Sequence, residues 1–317
     1  MVGSLLSELG KKVAERWLSL LVLPGALYLA VVVAARTLGH ADPFDVVHLT
    51  DRVTAWAGAP AAGTVGGQVV VLAAVLAGAA AVGVTAQAIG SLAERLHLAP
   101  DWPAWPLGVR HVAHWRTTHR QRRWTAAATA WHRRQQEAAR ALTRGVRTEP
   151  AERHAAYGAM TRISLELPDR PTWSGDRIHA AHVRLERDGH LDLAAVWPHI
   201  WLMLPDPARA EITIARQDLS RGAVLSAWAL LYLPLTIWWW PAVVITVVLI
   251  LAGRHRVRSA ADVYATLLEA ATRLYARELA QNLGFEPPAG PFPRELGDAL
   301  SRFLAPSPPQ LGSPSVH

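Results

Sequence analysis

Residues 222–253 read GAVLSAWALLYLPLTIWWWPAVVITVVLILAG and contain no charged side chain. A helix needs about 20 apolar residues to cross a bilayer, so this run is long for one span and short for two. Its flanks favour two, because arginines on both sides prefer the cytoplasm. These arginines are Arg216 and Arg221 before the run, and Arg254, Arg256 and Arg258 after it. We therefore expect a short transmembrane hairpin that turns at the WWWP segment, residues 238–241.

Two earlier apolar blocks, residues 17–35 and 68–92, are each long enough to span. The sequence thus predicts an all-α, multi-pass membrane protein with about four spans, the last two a short hairpin, and a helical cytoplasmic domain. The predicted parts are an amphipathic helix with two spans joined by a short outer loop (1–92), a helical cytoplasmic domain with an Arg-rich first half (93–221), the transmembrane hairpin (222–253), a cytoplasmic helix (254–283) and a Pro-rich, mostly disordered tail (284–317) with an amphipathic piece at 294–304.

The basic residues also predict orientation. Lys11, Lys12 and Arg16 precede the first block, whereas the loop after it carries Arg36 and Arg52 against three aspartates. Basic flanks stay in the cytoplasm, so these residues favour an N-terminus inside. The first block is better explained as a retained span than as a signal peptide, because it has about the 20 residues needed to span and further apolar blocks follow. We expect both termini on the cytoplasmic side of the cytoplasmic (inner) membrane.

Aromatic and small residues mark the ends and faces of the predicted spans. Tryptophans prefer the headgroup layer, and the candidates for this interface are Trp17, Trp102, Trp105, Trp238, Trp239 and Trp240. The second span is rich in Ala and Gly at four-residue spacing, which allows close helix packing through Gly78, Gly83 and Gly90. The packing partner is predicted to be a helix of the same chain or of a second copy.

The segment 110–147 is strongly basic, with ten arginines and a single acid, Glu137. Near a membrane such a helix favours contact with anionic lipid or phosphate groups. The candidate contacts are Arg110, Arg116, Arg120, Arg122, Arg123, Arg133 and Arg134. Two alternatives are a solvated helix that packs through Trp124 and Trp131, and nucleic-acid binding, which is disfavoured because no recognised binding motif accompanies the arginines. The acid-rich residues that follow are expected to pair with this basic half.

Candidate chemistry is sparse. Asp176, His179, His182 and Glu186 fall on adjacent turns of a predicted helix, where they form a weak candidate metal site without the His-Glu-x-x-His order of a zinc peptidase. The chain has no nucleophile elbow, phosphate-binding glycine loop or cysteine. We therefore predict no cofactor, no catalytic residue and no resident metal.

Three short segments, PTWSGDR (171–177), DLAAVWP (192–198) and WWWP (238–241), stand out within the Arg- and Ala-rich composition. In these features the chain resembles integral membrane proteins of high-GC actinobacteria. The resemblance implies a membrane location and no particular activity.

These observations favour a non-enzymatic inner-membrane scaffold, sensor or effector. Its cytoplasmic domain would bind the anionic inner leaflet together with a protein partner or a second copy. One alternative is an oligomeric channel or membrane-permeabilising effector built on the small residues of the second span. Another is a metal-dependent membrane enzyme that uses the four residues named above.

Topology reporters test the predicted orientation directly. Fusions at Gly145 and at the C-terminus should report a cytoplasmic position, and fusions at Gly63 and Trp239 an external one. A cytoplasmic signal at Gly63 would contradict the predicted passage of the first two spans.

Overall fold

The computed structural model describes residues 22–58, 63–145 and 149–306, and these are helical with no β-strand among them. The helices are α1 (Leu23–Leu38), α2 (Val46–Ala57), α3 (Val65–Leu98), α4 (Leu107–Thr143), α5 (Pro150–Thr161), α6 (Trp173–Gly189), α7 (Leu193–Met203), α8 (Asp206–Tyr232), α9 (Pro241–Asn282) and α10 (Arg294–Leu304). Short 3-10 helices cover Trp102–Ala104 and Leu233–Ile237. The predicted all-α class is confirmed over this part of the chain. Trp17 and residues 307–317 lie outside it.

The described residues form two compact units. The first contains those up to Leu96 together with Ser220–Val257, and the second contains His97–Leu219 together with those from Arg258 onward. The boundaries fall inside α3, α8 and α9, so each of these helices contributes residues to both units.

Two helical stretches in the described residues are long and apolar enough to cross a membrane, Val65–Leu98 and Asp206–Ile237. Only 17% of the most apolar 18-residue window of α3 is buried, a low share for the core helix of a soluble protein. The described part of the first predicted span is α1, which is apolar but shorter. A set of four spans and their position in a membrane therefore stay predictions.

Residues 222–253 consist of two antiparallel helical arms. α8 ends at Tyr232, and α9 begins at Pro241 after the 3-10 segment and a tryptophan turn. The arms touch closely: a Cβ added at Gly222 would lie 2.9 Å from the backbone nitrogen of Val257, and one added at Gly253 would lie 3.2 Å from the Gly222 carbonyl oxygen. Glycine at these two positions lets the backbones approach.

A proline in the 3-10 segment leaves one carbonyl to be satisfied from elsewhere. In a 3-10 helix residue 234 would donate its N–H to the carbonyl three residues earlier, but Pro234 has no N–H. The hydroxyl of Tyr28 on α1 donates to that carbonyl, on Leu231, at 3.1 Å. In an apolar environment this replacement matters, because no water is present to solvate the carbonyl.

The second unit has its own apolar core, built mainly by α6, α7 and the second half of α9. Its buried members include Leu185, Val196, Ile200 and Leu279. Ion pairs reinforce the packing of α6 on α9, for example Arg177 Nε to Asp262 Oδ1 at 2.5 Å.

Part of the predicted Pro-rich tail, residues 284–306, is described by the structure and packs on the second unit. Phe285 and Phe292 pack on the core of the second unit, and Leu300 of α10 is fully buried in it. α10 has the bounds predicted for the amphipathic piece. The hydroxyl of Ser301 donates to the His190 carbonyl at 3.1 Å and accepts from the Asp192 N–H at 2.9 Å, so this helix closes over the turn between α6 and α7.

The hairpin contact can be tested by adding volume at Gly222. We expect Gly222→Val to lower the free energy of unfolding by about 1–3 kcal/mol, because the new side chain meets the Val257 backbone. Gly66→Val is the matched control, since a Cβ there meets nothing within 4 Å. Thermal unfolding of the purified full chain in mild detergent measures both. Equal melting temperatures for the two variants would contradict the close contact.

Candidate functional site

The basic helix α4 has a buried face and an exposed face. Ala113, Thr117, Ala128 and Ala138 are buried at helical spacing. This side of α4 packs against α5, with the Trp131 and Tyr157 rings 5.8 Å apart. The sequence places the small residues on one side of the helix, and that side is the one that packs.

The opposite face of α4 is exposed and mixes apolar with basic side chains. Leu107, Val112 and Trp115 are 76%, 58% and 67% exposed in its first three turns. Arg122 lies seven residues after Trp115, and Arg133 lies eleven residues after Arg122, so both continue the same face, and both are exposed. We call this set the outer face of α4. Large apolar side chains that are exposed to water and bordered by arginines are typical of a surface that binds a membrane or another protein.

The other predicted contacts fall into two groups. Arg110, Arg116 and Arg123 are exposed. Arg134 is also exposed, but its Nη1 lies 2.8 Å from Glu152 Oε2 on α5. This ion pair joins the basic half to the acidic half that follows it.

Arg120 differs from these residues and does not belong to an exposed lipid-contact surface. Its side chain is 15% exposed, and Nη1 lies 2.7 Å from Asp176 Oδ2. The same guanidinium donates to the carbonyls of Arg170 at 3.0 Å and Ile163 at 2.7 Å. Its donors are therefore used within the fold.

Side chains of α4 also satisfy the loop between α5 and α6, which we call the 164–172 loop. Trp124 Nε1 donates to the Ser164 carbonyl at 3.0 Å, and Gln121 Nε2 donates to the Pro168 carbonyl at 2.9 Å. Trp102 Nε1 donates to the Asp169 carbonyl at 2.9 Å. The loop is thus held by side-chain donors where no regular backbone ladder is available.

The segment Thr-Trp-Ser-Gly-Asp, residues 172–176, forms the start of α6. The Thr172 hydroxyl accepts from the Gly175 N–H at 3.1 Å as the N-cap of α6, and it also donates to the His97 carbonyl. A Cβ added at Gly175 would lie 2.5 Å from the Leu98 carbonyl oxygen, so a larger residue does not fit. The Trp173 ring lies under the Arg258 guanidinium at 4.6 Å.

The buried carboxylate of Asp176 also holds the 164–172 loop. Its Oδ1 accepts from the backbone N–H groups of Asp169 at 2.9 Å and Arg170 at 2.7 Å, and its side chain is only 2% exposed. Burial raises the pKa of Asp176 to about 6, while Arg120 and the two backbone donors oppose the rise. The structure therefore uses Asp176 to organise a loop.

The other candidate metal ligands lie apart from this carboxylate and contact different acids. His179 Nε2 is 3.9 Å from Asp169 Oδ2, and His182 Nε2 is 3.8 Å from Glu186 Oε2. Within the described ranges, no three or more His, Asp or Glu side chains are grouped so that they could hold a metal ion. The predicted helical spacing is present, but Asp176 points into the fold.

His179 and His182 instead line a cavity of about 430 Å³ in the second unit. The remaining lining residues come from the 164–172 loop and from α6, α7 and α9: Arg170, Ile178, Leu193, Ala194, Trp197, Pro198, Tyr264 and Leu268. Burial and the nearby Arg170 charge lower the pKa of His179, which favours its neutral form. Sequence patterns do not reveal this cavity, because its walls come from four separate segments.

The tryptophans predicted for the membrane interface have different environments. Trp238 and Trp240 are 42% and 45% exposed, and the Arg36 guanidinium lies over the Trp238 ring at 5.4 Å. Trp239 Nε1 donates to the Pro43 carbonyl at 3.0 Å. Trp102 supports the 164–172 loop, and Trp105 is half-buried.

The small residues of α3 face other helices of the same chain. Ala79 lies against Gly25 of α1, and a Cβ at Gly78 would be 3.4 Å from the Leu29 side chain. Gly83 is buried, and Gly90 lies against Val224 of α8, where an added Cβ would be 3.2 Å from the Val224 Cα. Of the two predicted packing partners, the structure shows the one within the chain.

No known protein family, curated protein or solved structure matches this chain.

Removing Arg120 tests the buried ion pair. We expect Arg120→Gln to lower the free energy of unfolding by about 3–5 kcal/mol, because it leaves the Asp176 carboxylate buried without its cationic partner. Arg134→Gln, which breaks an exposed pair, should cost about 0–1 kcal/mol. Chemical denaturation of both variants in the same detergent makes the comparison, and similar losses would contradict a special role for Arg120.

The pH dependence of stability tests Asp176. The pKa of Asp176 in the folded protein, about 6, lies above its ordinary value of 3.8, so between these pH values the folded protein binds the extra proton more tightly than the unfolded chain. The stability of the wild-type chain relative to Asp176→Asn should therefore rise as the pH falls from 7 towards 4. Melting temperatures of both proteins across this range measure the difference. A difference that moves in the opposite direction would show a lowered pKa.

Proposed function

We propose that this chain is a non-enzymatic, multi-pass inner-membrane protein whose helical domain rests on the anionic inner leaflet through the outer face of α4. The observation that carries the proposal is the combination of Leu107, Val112 and Trp115 with exposed arginines on one side of that helix. Such a face favours the boundary between headgroups and acyl chains, where apolar side chains insert and arginines meet phosphates.

The position of α4 in the chain supports this assignment. α4 begins nine residues after α3 ends, and α3 is long and apolar enough to span. α3 also leaves Val69, Val70 and Leu72 exposed, which lipid would cover. A connection this short keeps the start of α4 close to the end of α3. Near an anionic bilayer surface each basic residue contributes on the order of 1 kcal/mol to lipid binding.

The rest of the helical domain would present a surface to a protein partner or a second copy, as a scaffold, sensor or effector does. Affinity purification of the full chain in mild detergent, combined with its mass in solution, tests this part. A strict monomer with no reproducible partner would contradict it. The channel alternative depends on the small residues of α3, and their packing on α1 and α8 gives it no support.

Lipid contact by the outer face can be measured with one fluorescent label. Because the chain has no cysteine, Ala126→Cys on this face and Ala155→Cys on the exposed side of α5 give two singly labelled proteins. In nanodiscs containing phosphatidylserine, the label at 126 should shift to the blue and resist an aqueous quencher. In phosphatidylcholine alone both effects should be smaller, and the label at 155 should not respond in either lipid.

A charge-reversal pair provides the matched control. Arg122→Glu with Arg133→Glu should abolish the response of the label at 126. Arg162→Glu with Arg302→Glu makes the same change in net charge at exposed positions elsewhere and should leave the response intact. Equal quenching of the label at 126 in both lipids would refute the proposed contact.

A further inference from the structure

The second unit contains a cavity whose lining is mainly apolar and whose polar groups are mostly nitrogen donors. We call it the α6–α7 pocket, with the ten lining residues given above. Each of three helices contributes residues four apart, such as Ile178 and His182 on α6 or Tyr264 and Leu268 on α9. At about 430 Å³ it lies within the size range of small-molecule sites.

The polar lining favours an anion. Arg170 keeps its positive charge, and one of its donors, Nη1, holds the Leu98 carbonyl at 3.0 Å. Its Nε–H is buried and has no hydrogen-bond acceptor among the described residues. The pocket is therefore bordered by a positive charge whose donors are not all used by the described residues.

The nearby acids do not reverse this preference. Asp169 and Glu186 lie beside the two histidines, but their side chains are 63% and 68% exposed, so water screens them. Arg170 at the pocket disfavours a metal cation, because like charges repel.

The apolar lining favours a ligand with a hydrocarbon body. Leu193, Trp197 and Leu268 offer aliphatic and aromatic surface, and the Trp197 ring is backed by Trp201 at 5.9 Å. Pro198 interrupts the hydrogen bonding of α7, because it has no N–H to donate to the Ala194 carbonyl one turn earlier. Both residues line the pocket, so the apolar Pro198 ring is part of this wall.

We propose that the α6–α7 pocket binds a small carboxylic acid with an apolar body, its carboxylate held by Arg170 and the two histidines. This inference goes beyond the lipid contact proposed for α4 and does not depend on it. It gives the helical domain a ligand site of defined chemistry: an organic anion of a size that suits a short fatty acid or an arylalkanoic acid.

Equilibrium dialysis of radiolabelled octanoate against the full chain in phosphatidylcholine nanodiscs tests the proposal, with empty nanodiscs subtracted. Saturable binding is expected. Octan-1-ol, which lacks the charge, and propionate, which lacks the apolar body, should each compete at least roughly tenfold less well. If octan-1-ol competes as well as octanoate, or the protein retains no more octanoate than empty nanodiscs, the proposal is wrong.

Variants locate the bound anion. Ala194→Trp places a large side chain at an exposed pocket position and should weaken octanoate binding at least roughly tenfold, whereas Ala155→Trp on α5 should leave it unchanged. Arg170→Gln should also weaken binding, but Arg170 supports the Leu98 carbonyl as well, so Ala194→Trp is the decisive variant. Unchanged affinity in Ala194→Trp would overturn the site. Loss of the α4 label response would leave these results unaffected.

Discussion

The buried carboxylate of Asp176 is the point on which the second unit depends. It joins α4 through Arg120, the 164–172 loop through two backbone N–H groups, and α6, which carries it. A buried charge is tolerated only when it is paired and hydrogen-bonded, so all three segments have to be in place together. The loop then positions Thr172 and Arg170, whose side chains satisfy the exposed carbonyl end of α3 at His97 and Leu98.

α4 has two roles because its arginines do not share one environment. On its packed side, Arg120, Gln121 and Trp124 serve as donors to a loop without regular secondary structure. On the other side, the side chains meet solvent and have few partners within the fold. A helix with one face used for architecture and the other left basic and apolar is suited to hold a domain against a charged surface without changing its internal structure.

Hydrophobic patterning predicted the helical class, and it predicted the ends of α10 because amphipathic spacing begins and stops there. The role of Arg120 could not be predicted in this way. In the sequence it looks like its arginine neighbours, and its acidic partner lies more than fifty residues further along the chain. Asp176 was interpreted as a weak candidate metal ligand for the same reason. The start of the tail looked disordered because Phe285 and Phe292 pack only against a core made by distant helices. Long-range pairing of this kind leaves little periodic signal in one sequence.

The hydrogen bond from Tyr28 to the Leu231 carbonyl bears on how the chain is assembled. Synthesis proceeds from the N-terminus, so α1 exists well before the segment around Pro234 leaves the ribosome. In the proposed membrane location, the Leu231 carbonyl has the Tyr28 hydroxyl available as a donor when the hairpin enters lipid. The order of the helices along the chain is thus also a suitable order of insertion, because α1 already supplies the donor when the later Leu231 carbonyl leaves water.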